Sequence, residues 1–156
     1  DRIVTVSGDA IEEPGNFKVP FGMNQAELIE AAGGYKVDPE KIISGGPMMG
    51  FSMFTVDVPV TKTSSSILCF TKDEVAQYEP TACINCGRCV EVCPSRLIPS
   101  RLADYAEHHD EEAFTKHEGL ECMECGSCSY VCPAKRQLKQ AIGSMRKTAL
   151  ANRKKK

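Results

Sequence analysis

Tryptophan is absent from this chain of 156 residues, and aromatic residues of all kinds make up only 6% of it. So few large apolar side chains imply a modest core, which usually needs extra fastening such as metal can supply. Long hydrophobic runs are missing too. The longest stretch without a charged side chain, Ile42–Val56, is broken by Gly45, Gly46, Pro47 and Gly50. It falls short of the ~20 apolar residues a membrane span needs. No signal peptide is visible, but the sequence begins at Asp1 rather than at methionine, so this absence says little about targeting. Nucleotide-binding loops are lacking as well. The segment Gly45-Gly46-Pro47-Met48-Met49-Gly50 has no lysine, and no Gly-x-Gly-x-x-Gly fingerprint occurs, so the chain shows no nucleotide or flavin site of its own.

Acidic residues are missing from the whole C-terminal segment. Residues 1–132 hold 10 Lys and Arg against all 21 Asp and Glu, while residues 133–156 hold nine Lys and Arg (Lys135 to Lys156) and no acid. A tail of this kind is either a frayed, solvated helix end or an electrostatic dock for an acidic protein or an anionic membrane face. Nucleic acid is disfavoured, because no aromatics are interleaved with the charges and the rest of the chain is acidic.

What the chain does have is nine cysteines, eight of them in two runs. Residues 83–94 read Cys-Ile-Asn-Cys-Gly-Arg-Cys-Val-Glu-Val-Cys-Pro, and residues 122–133 read Cys-Met-Glu-Cys-Gly-Ser-Cys-Ser-Tyr-Val-Cys-Pro. Both are C-x2-C-x2-C-x3-C-P, the run that holds cubane [4Fe–4S] clusters. Seven of the twelve positions are identical, which makes the pair an internal repeat. Structural zinc sites use two separated pairs instead, and disulfides offer no reason for this spacing. Three cysteines two residues apart on a tight loop can wrap three corners of a cubane. Gly87 and Gly126 permit the backbone this requires and let amide N–H groups approach sulfur. In two-cluster ferredoxins the fourth cysteine of each run ligates the other cluster. By that rule one cluster takes Cys83, Cys86, Cys89 and Cys132, and the second takes Cys122, Cys125, Cys128 and Cys93. Clusters with four cysteine ligands have no open coordination site, so the chemistry implied is outer-sphere, one-electron transfer. The sequence offers no catalytic residues.

Two regions of different character carry these features, an α+β module at 1–72 and a helical domain at 73–156. In the first, Arg2–Ser7 reads as a strand ending in a Gly8-Asp9 turn, and Pro14–Phe21 as a strand pair around a Gly15-Asn16 turn. Asn24 caps a helix Gln25–Ala32 stopped by Gly33-Gly34. Gly45-Gly46-Pro47 makes a sharp turn, and Thr55–Val60 and Ser66–Thr71 are further candidate strands. In the second, Asp73 caps a short helix. Ile98, Leu102, Tyr105 and Ala106 share one helical face, and Asp110 caps a helix ended by Gly119. Leu138, Ile142, Met145 and Ala149 line one face of a long final helix. Outside the two runs, Cys69 reads as a small buried hydrophobe, and His108, His109 and His117 as solvated side chains. Met48 and Met49 read as packing residues.

The cysteine runs, joined to Ser44–Gly50 and to Val6-Ser7-Gly8 with Pro14-Gly15-Asn16, resemble one family over nearly the whole chain. The family is the C subunit of the Rnf electron transport complex, an ion-translocating ferredoxin:NAD oxidoreductase of bacterial membranes, and the likeness is to its C-terminal part. The resemblance implies a β-grasp module of the soluble-ligand-binding type followed by an α-helical two-[4Fe–4S] domain. It implies FMN and NAD(H) only in a region upstream of Asp1. The implied role is an electron relay between that flavin domain and other subunits, a ferredoxin-like one included, at the cytoplasmic face of the cell membrane, with peripheral attachment. The iron–sulfur component of a soluble dehydrogenase or reductase, such as a cobalamin reductase, is the alternative.

Overall fold

The computed structural model describes residues 1–154; Lys155 and Lys156 of the basic tail lie outside the described residues. The chain divides into two compact units, Asp1–Gln77 and Tyr78–Lys156, each with its own hydrophobic core.

The first unit is a five-stranded mixed sheet with one helix. The strands are β1 (Arg2–Ser7), β2 (Gly15–Val19), β3 (Lys41–Ser44), β4 (Phe51–Met53) and β5 (Ser66–Phe70), in the order β2-β1-β5-β3-β4. β1 pairs antiparallel with β2 and parallel with β5, and β3 pairs antiparallel with both β4 and β5. Alternation in β1 turns Val4 and Val6 inward, where Leu28 and Ile29 of α1 (Gln25–Ala31) share a core with Val19, Val60 and Ile67. Asn24 accepts the N–H of Ala26 at 2.9 Å to cap α1. Gly33 and Gly34 follow the helix in the left-handed region, a helix stop that ordinary residues resist. Gly8, at φ +121°, passes so close to the Cys69 carbonyl that a Cβ would sit 2.0 Å from its oxygen. Asp9 then accepts the N–H and hydroxyl of Thr71 at 2.9 and 2.5 Å.

Several local expectations are corrected. Gly15 and Asn16 form no turn; neither has positive φ, and they pair in the ladder opposite Val6 and Thr5. Thr55–Val60 is not a sheet strand. Its backbone groups are taken by the entrance to α1, with Gln25 N–H, at the first residue of the helix, on Val58 O and Val60 N–H on Met23 O. Phe51–Met53 is the strand instead, returning from the turn at Gly45. Met48 and Met49 lie outside the core, 42% and 62% exposed on that hairpin.

The second unit is helical. Its elements are α2 (Arg88–Glu91), α3 (Pro99–Glu107), α4 (Glu111–Lys116), α5 (Ser127–Tyr130) and α6 (Leu138–Arg153), with a 3-10 turn at Gly119–Glu121, while a 3-10 turn at Glu74–Gln77 closes the first unit. Asp73 accepts the Ala76 N–H, and Asp110 accepts the Ala113 N–H at 2.9 Å to cap α4. α3 packs on α6, burying Leu102, Ala103, Leu138, Ile142 and Met145 around Phe114. Ile98 is not on that face. It lies just ahead of Pro99, at the helix cap, and is 44% exposed.

Candidate metal centre

Each cysteine run ends in a short helix, and the two runs have the same backbone. Gly87 and Gly126 cap α2 and α5 at φ +78° and +84°. Asn85 and Glu124, one residue ahead of the second cysteine of each run, are also left-handed, at +54° and +55°. So are Arg96 and Lys135, beyond Pro94 and Pro133. Non-glycine residues seldom adopt this conformation, and here it recurs at matching places in both runs. The effect is a tightly wound loop that brings the first three cysteines of each run to the wall of one cavity.

The eight cysteines line two cavities. One, of 320 Å³, is lined by Cys83, Cys86, Cys89 and Cys132, with Ile84, Asn85, Ile98, Arg101 and Arg136 among its other walls. The other, of only 20 Å³, is lined by Cys93, Cys122, Cys125 and Cys128, with Met123, Glu124 and Lys139. Each cavity thus takes three cysteines from one run and the last cysteine of the other. α2 and α5 pack together, which lets the final cysteine of each run reach across. No group of three or more His, Cys, Asp or Glu among the described residues is arranged to hold a single metal ion. A cubane asks for something different: four thiolates spread around a cavity, one to each iron. The donor set fits two such clusters.

The surroundings of the two sets differ. Cys83 and Cys86 are exposed, whereas the second set is half-buried throughout. Burial pushes the Cys128 thiol up to about 11 and raises that of Cys122, so iron must displace protons that burial holds there. Leu97 N–H donates to Cys93 Sγ, and Glu124 N–H to Cys122 Sγ, each at 3.4 Å. Arg136, only 11% exposed, lines the first cavity while binding Asp104 at 2.8 Å and Glu107 at 3.0 Å. Arg146 binds Glu124 at 3.3 Å beside the second.

Other candidate residues lie elsewhere. Cys69 is fully buried in β5, where burial lifts its thiol to about 11. His108, His109 and His117 are exposed. A larger cavity of 570 Å³ lies in the first unit, but no cysteine, histidine or acid lines it. Sequence reasoning missed the cations at the first cavity, because Arg101 and Arg136 are far apart along the chain and carry no motif.

Fold and site together define an iron–sulfur electron-transfer module of the two-cluster ferredoxin class, carried on the same chain as a mixed-sheet unit. Residues 82–136 match the 4Fe-4S dicluster domain family and residues 3–52 the SLBB domain family. The chain is 43% identical over 99% of its length to the C subunit of the Na(+)-translocating ferredoxin:NAD(+) oxidoreductase complex of Acetobacterium woodii, covering 35% of that protein. It is 48% identical, over 65% of its length, to the C subunit of the proton-translocating ferredoxin:NAD(+) oxidoreductase complex of Clostridium ljungdahlii, covering 22% of that protein. It is 40% identical, over 75% of its length, to the C subunit of the ion-translocating oxidoreductase complex of Yersinia enterocolitica, covering 17%. Over up to 99% of its length the chain is homologous to a part of these C subunits of ion-translocating ferredoxin:NAD oxidoreductase complexes, and it spans about a third or less of the length of the curated relatives it matches.

Proposed function

We propose that this chain relays electrons one at a time through two [4Fe–4S] clusters within an ion-translocating ferredoxin:NAD oxidoreductase complex. Cys83, Cys86, Cys89 and Cys132 hold one cluster, and Cys122, Cys125, Cys128 and Cys93 the other. The observation that carries the reading is the division of the eight cysteines between two cavities, each drawing its fourth member from the opposite run. When bound, such a pair supplies two adjacent one-electron stores with no open coordination site. The chain's own residues do the rest. The thiolates fix the positions, and the Leu97 and Glu124 amides place positive dipoles against sulfur, which favours added negative charge. The helical core packs against Cys93, Cys122 and Cys128 of the second set and leaves that set half-buried.

The finer parts of the reading extend the family resemblance and are part of the same proposal. The strand order β2-β1-β5-β3-β4 around a single helix supports a β-grasp module for residues 1–72, with 73–156 as the cluster domain. FMN and NAD(H) belong to a region upstream, and partners include that flavin domain and a ferredoxin-like subunit. The site of action is the cytoplasmic face of the membrane, held there peripherally; no described helix is long and apolar enough to cross it.

Anaerobic reconstitution with iron and sulfide tests the relay. The expected result is roughly eight irons per chain, two [4Fe–4S] clusters, and an interacting two-spin EPR signal after dithionite reduction. Zinc in place of iron, or a cluster that accepts no electron, overturns it.

A further inference from the structure

We propose that Glu124 is a potential-setting residue: its fixed carboxylate holds a cluster at the second site below one at the first. The first electron the chain takes up then rests on the side of Cys83, Cys86, Cys89 and Cys132. The proposal rests on the reading of both cavities as cluster sites and adds how their potentials are ordered. The two runs differ at one matching place. Asn85 and Glu124 each precede the second cysteine of their run, with φ of +54° and +55°. Asparagine tolerates that left-handed conformation better than most residues, and glutamate has no such advantage. Backbone preference alone favours Asn at both places, so Glu124 stands against it.

The final helix is shaped to receive this carboxylate. Gly143, buried within α6, leaves the space: a Cβ there would lie 3.0 Å from Glu124 Oε2. Glycine inside a helix is destabilising relative to alanine, so two local preferences are overridden to seat one charge. One turn further along α6, Arg146 donates to Glu124 Oε1 at 3.3 Å and to the Leu120 carbonyl at 2.9 Å. Glu124 lines the second cavity and Arg146 does not, so the pair turns its negative end to the site. Lys139, also on that wall, joins no ion pair among the described residues. A fixed carboxylate and loss of water both disfavour added negative charge, and both act at the second site. The first has exposed Cys83 and Cys86 and no acid in its lining. Of its two cations, Arg136 is balanced by Asp104 and Glu107, which leaves Arg101. The Leu97 and Glu124 amides act in the opposite sense at the second site and narrow the gap without reversing it. The internal exchange is balanced by one electron: the second cluster is oxidised, the first is reduced, and no bond or proton is transferred.

The test is a redox titration of the cluster-loaded chain followed by EPR, at about pH 8, above the carboxylate range. Cys125→Ser marks which signal belongs to the second cluster. The unaltered chain is expected to show two waves, the lower one at the second site. Glu124→Gln is expected to raise that wave alone, shifting its reduction equilibrium on the order of tenfold, while Glu124→Asp keeps it low. Arg146→Gln removes the cation behind the carboxylate and is expected to lower the same wave further. Opposite shifts from the two partners are the mark of charge, since loosening of the loop would move both the same way. Iron counts show that each variant is loaded, and Arg146→Gln decides the matter if Glu124→Gln does not load. Equal potentials at the two sites, a lower wave at the first site, or an unmoved wave in fully loaded Glu124→Gln overturns the proposal. So does a rise in Arg146→Gln. Absence of any reducible cluster in the unaltered chain is a distinct result, which overturns the cluster reading beneath it.

Discussion

Cys93 and Cys132 are the residues on which the pairing of the two sites turns. Each stands at the end of its own run yet lines the cavity of the other. Cys132→Ser is therefore expected to disturb the cluster held by Cys83, Cys86 and Cys89, and Cys93→Ser the one held by Cys122, Cys125 and Cys128. Single-cysteine variants of the first three ligands provide the reference spectra. EPR of Cys132→Ser should match the Cys86→Ser pattern, and a match to Cys125→Ser instead would show ligation within each run. In the first unit, Lys41 donates to Asp73 at 2.6 Å and holds its carboxyl below the ordinary value of 3.8. A carboxylate with a lowered native pKa stabilises the fold above its unfolded pKa, and this is lost as pH falls through the native one. Wild type should thus melt above Asp73→Asn near neutrality. That gap in melting temperature should close as the pH drops below 3.8; a gap constant with pH would sink the assignment.

At the scale of elements, α4 shows how little chain can be held in place by a cap and one anchor. It has six residues, too few to persist alone. Asp110 satisfies the Ala113 N–H, and Phe114 is fully buried against Gly119, whose added Cβ would lie 2.5 Å from the ring. Asp110→Ala is expected to cost about 1 kcal/mol, read as a lowered midpoint in urea with an unchanged slope. This helix was legible in the sequence, because its signals are local: an Asp at the cap, an apolar anchor four residues on, a Gly beyond. The buried stripe of α6 was legible for the same reason, since Leu138, Ile142, Met145 and Ala149 repeat at helical spacing. β4 was not, for Phe51–Met53 is three residues long and leaves Phe51 67% exposed. Thr55–Val60 misled by alternating Val56, Val58 and Val60, although its backbone serves the entrance to α1. The cysteine runs declared their chemistry by spacing alone. The cations at the first site did not, because Arg101 comes from α3 and Arg136 from the loop before α6.

The two units of the whole molecule are stabilised in different ways, and this gives iron removal a defined outcome. The first unit buries Val4, Val6, Leu28, Ile29 and Ile67 between a sheet and a helix, and no part of that core involves the eight cysteines of the runs. The second unit has two α-helices of four residues, α2 and α5, and its apolar core is flanked directly by Cys89, Cys93, Cys122, Cys128 and Cys132. Elements that short contribute little by themselves, and six non-glycine residues of this unit sit in the costly left-handed region. Clusters that cross-link the runs would hold those turns closed, so their binding free energy becomes folding free energy. Calorimetry of the loaded chain is expected to show two transitions. Stripping iron with a chelator should lower or abolish the one that carries the helical signal, while the sheet unit melts where it did before. The first cluster should be lost first, because Cys83 and Cys86 are exposed and the second set is half-buried. Loss of iron in a single step, with both transitions shifting together, would show that the two units and the two clusters behave as one cooperative structure.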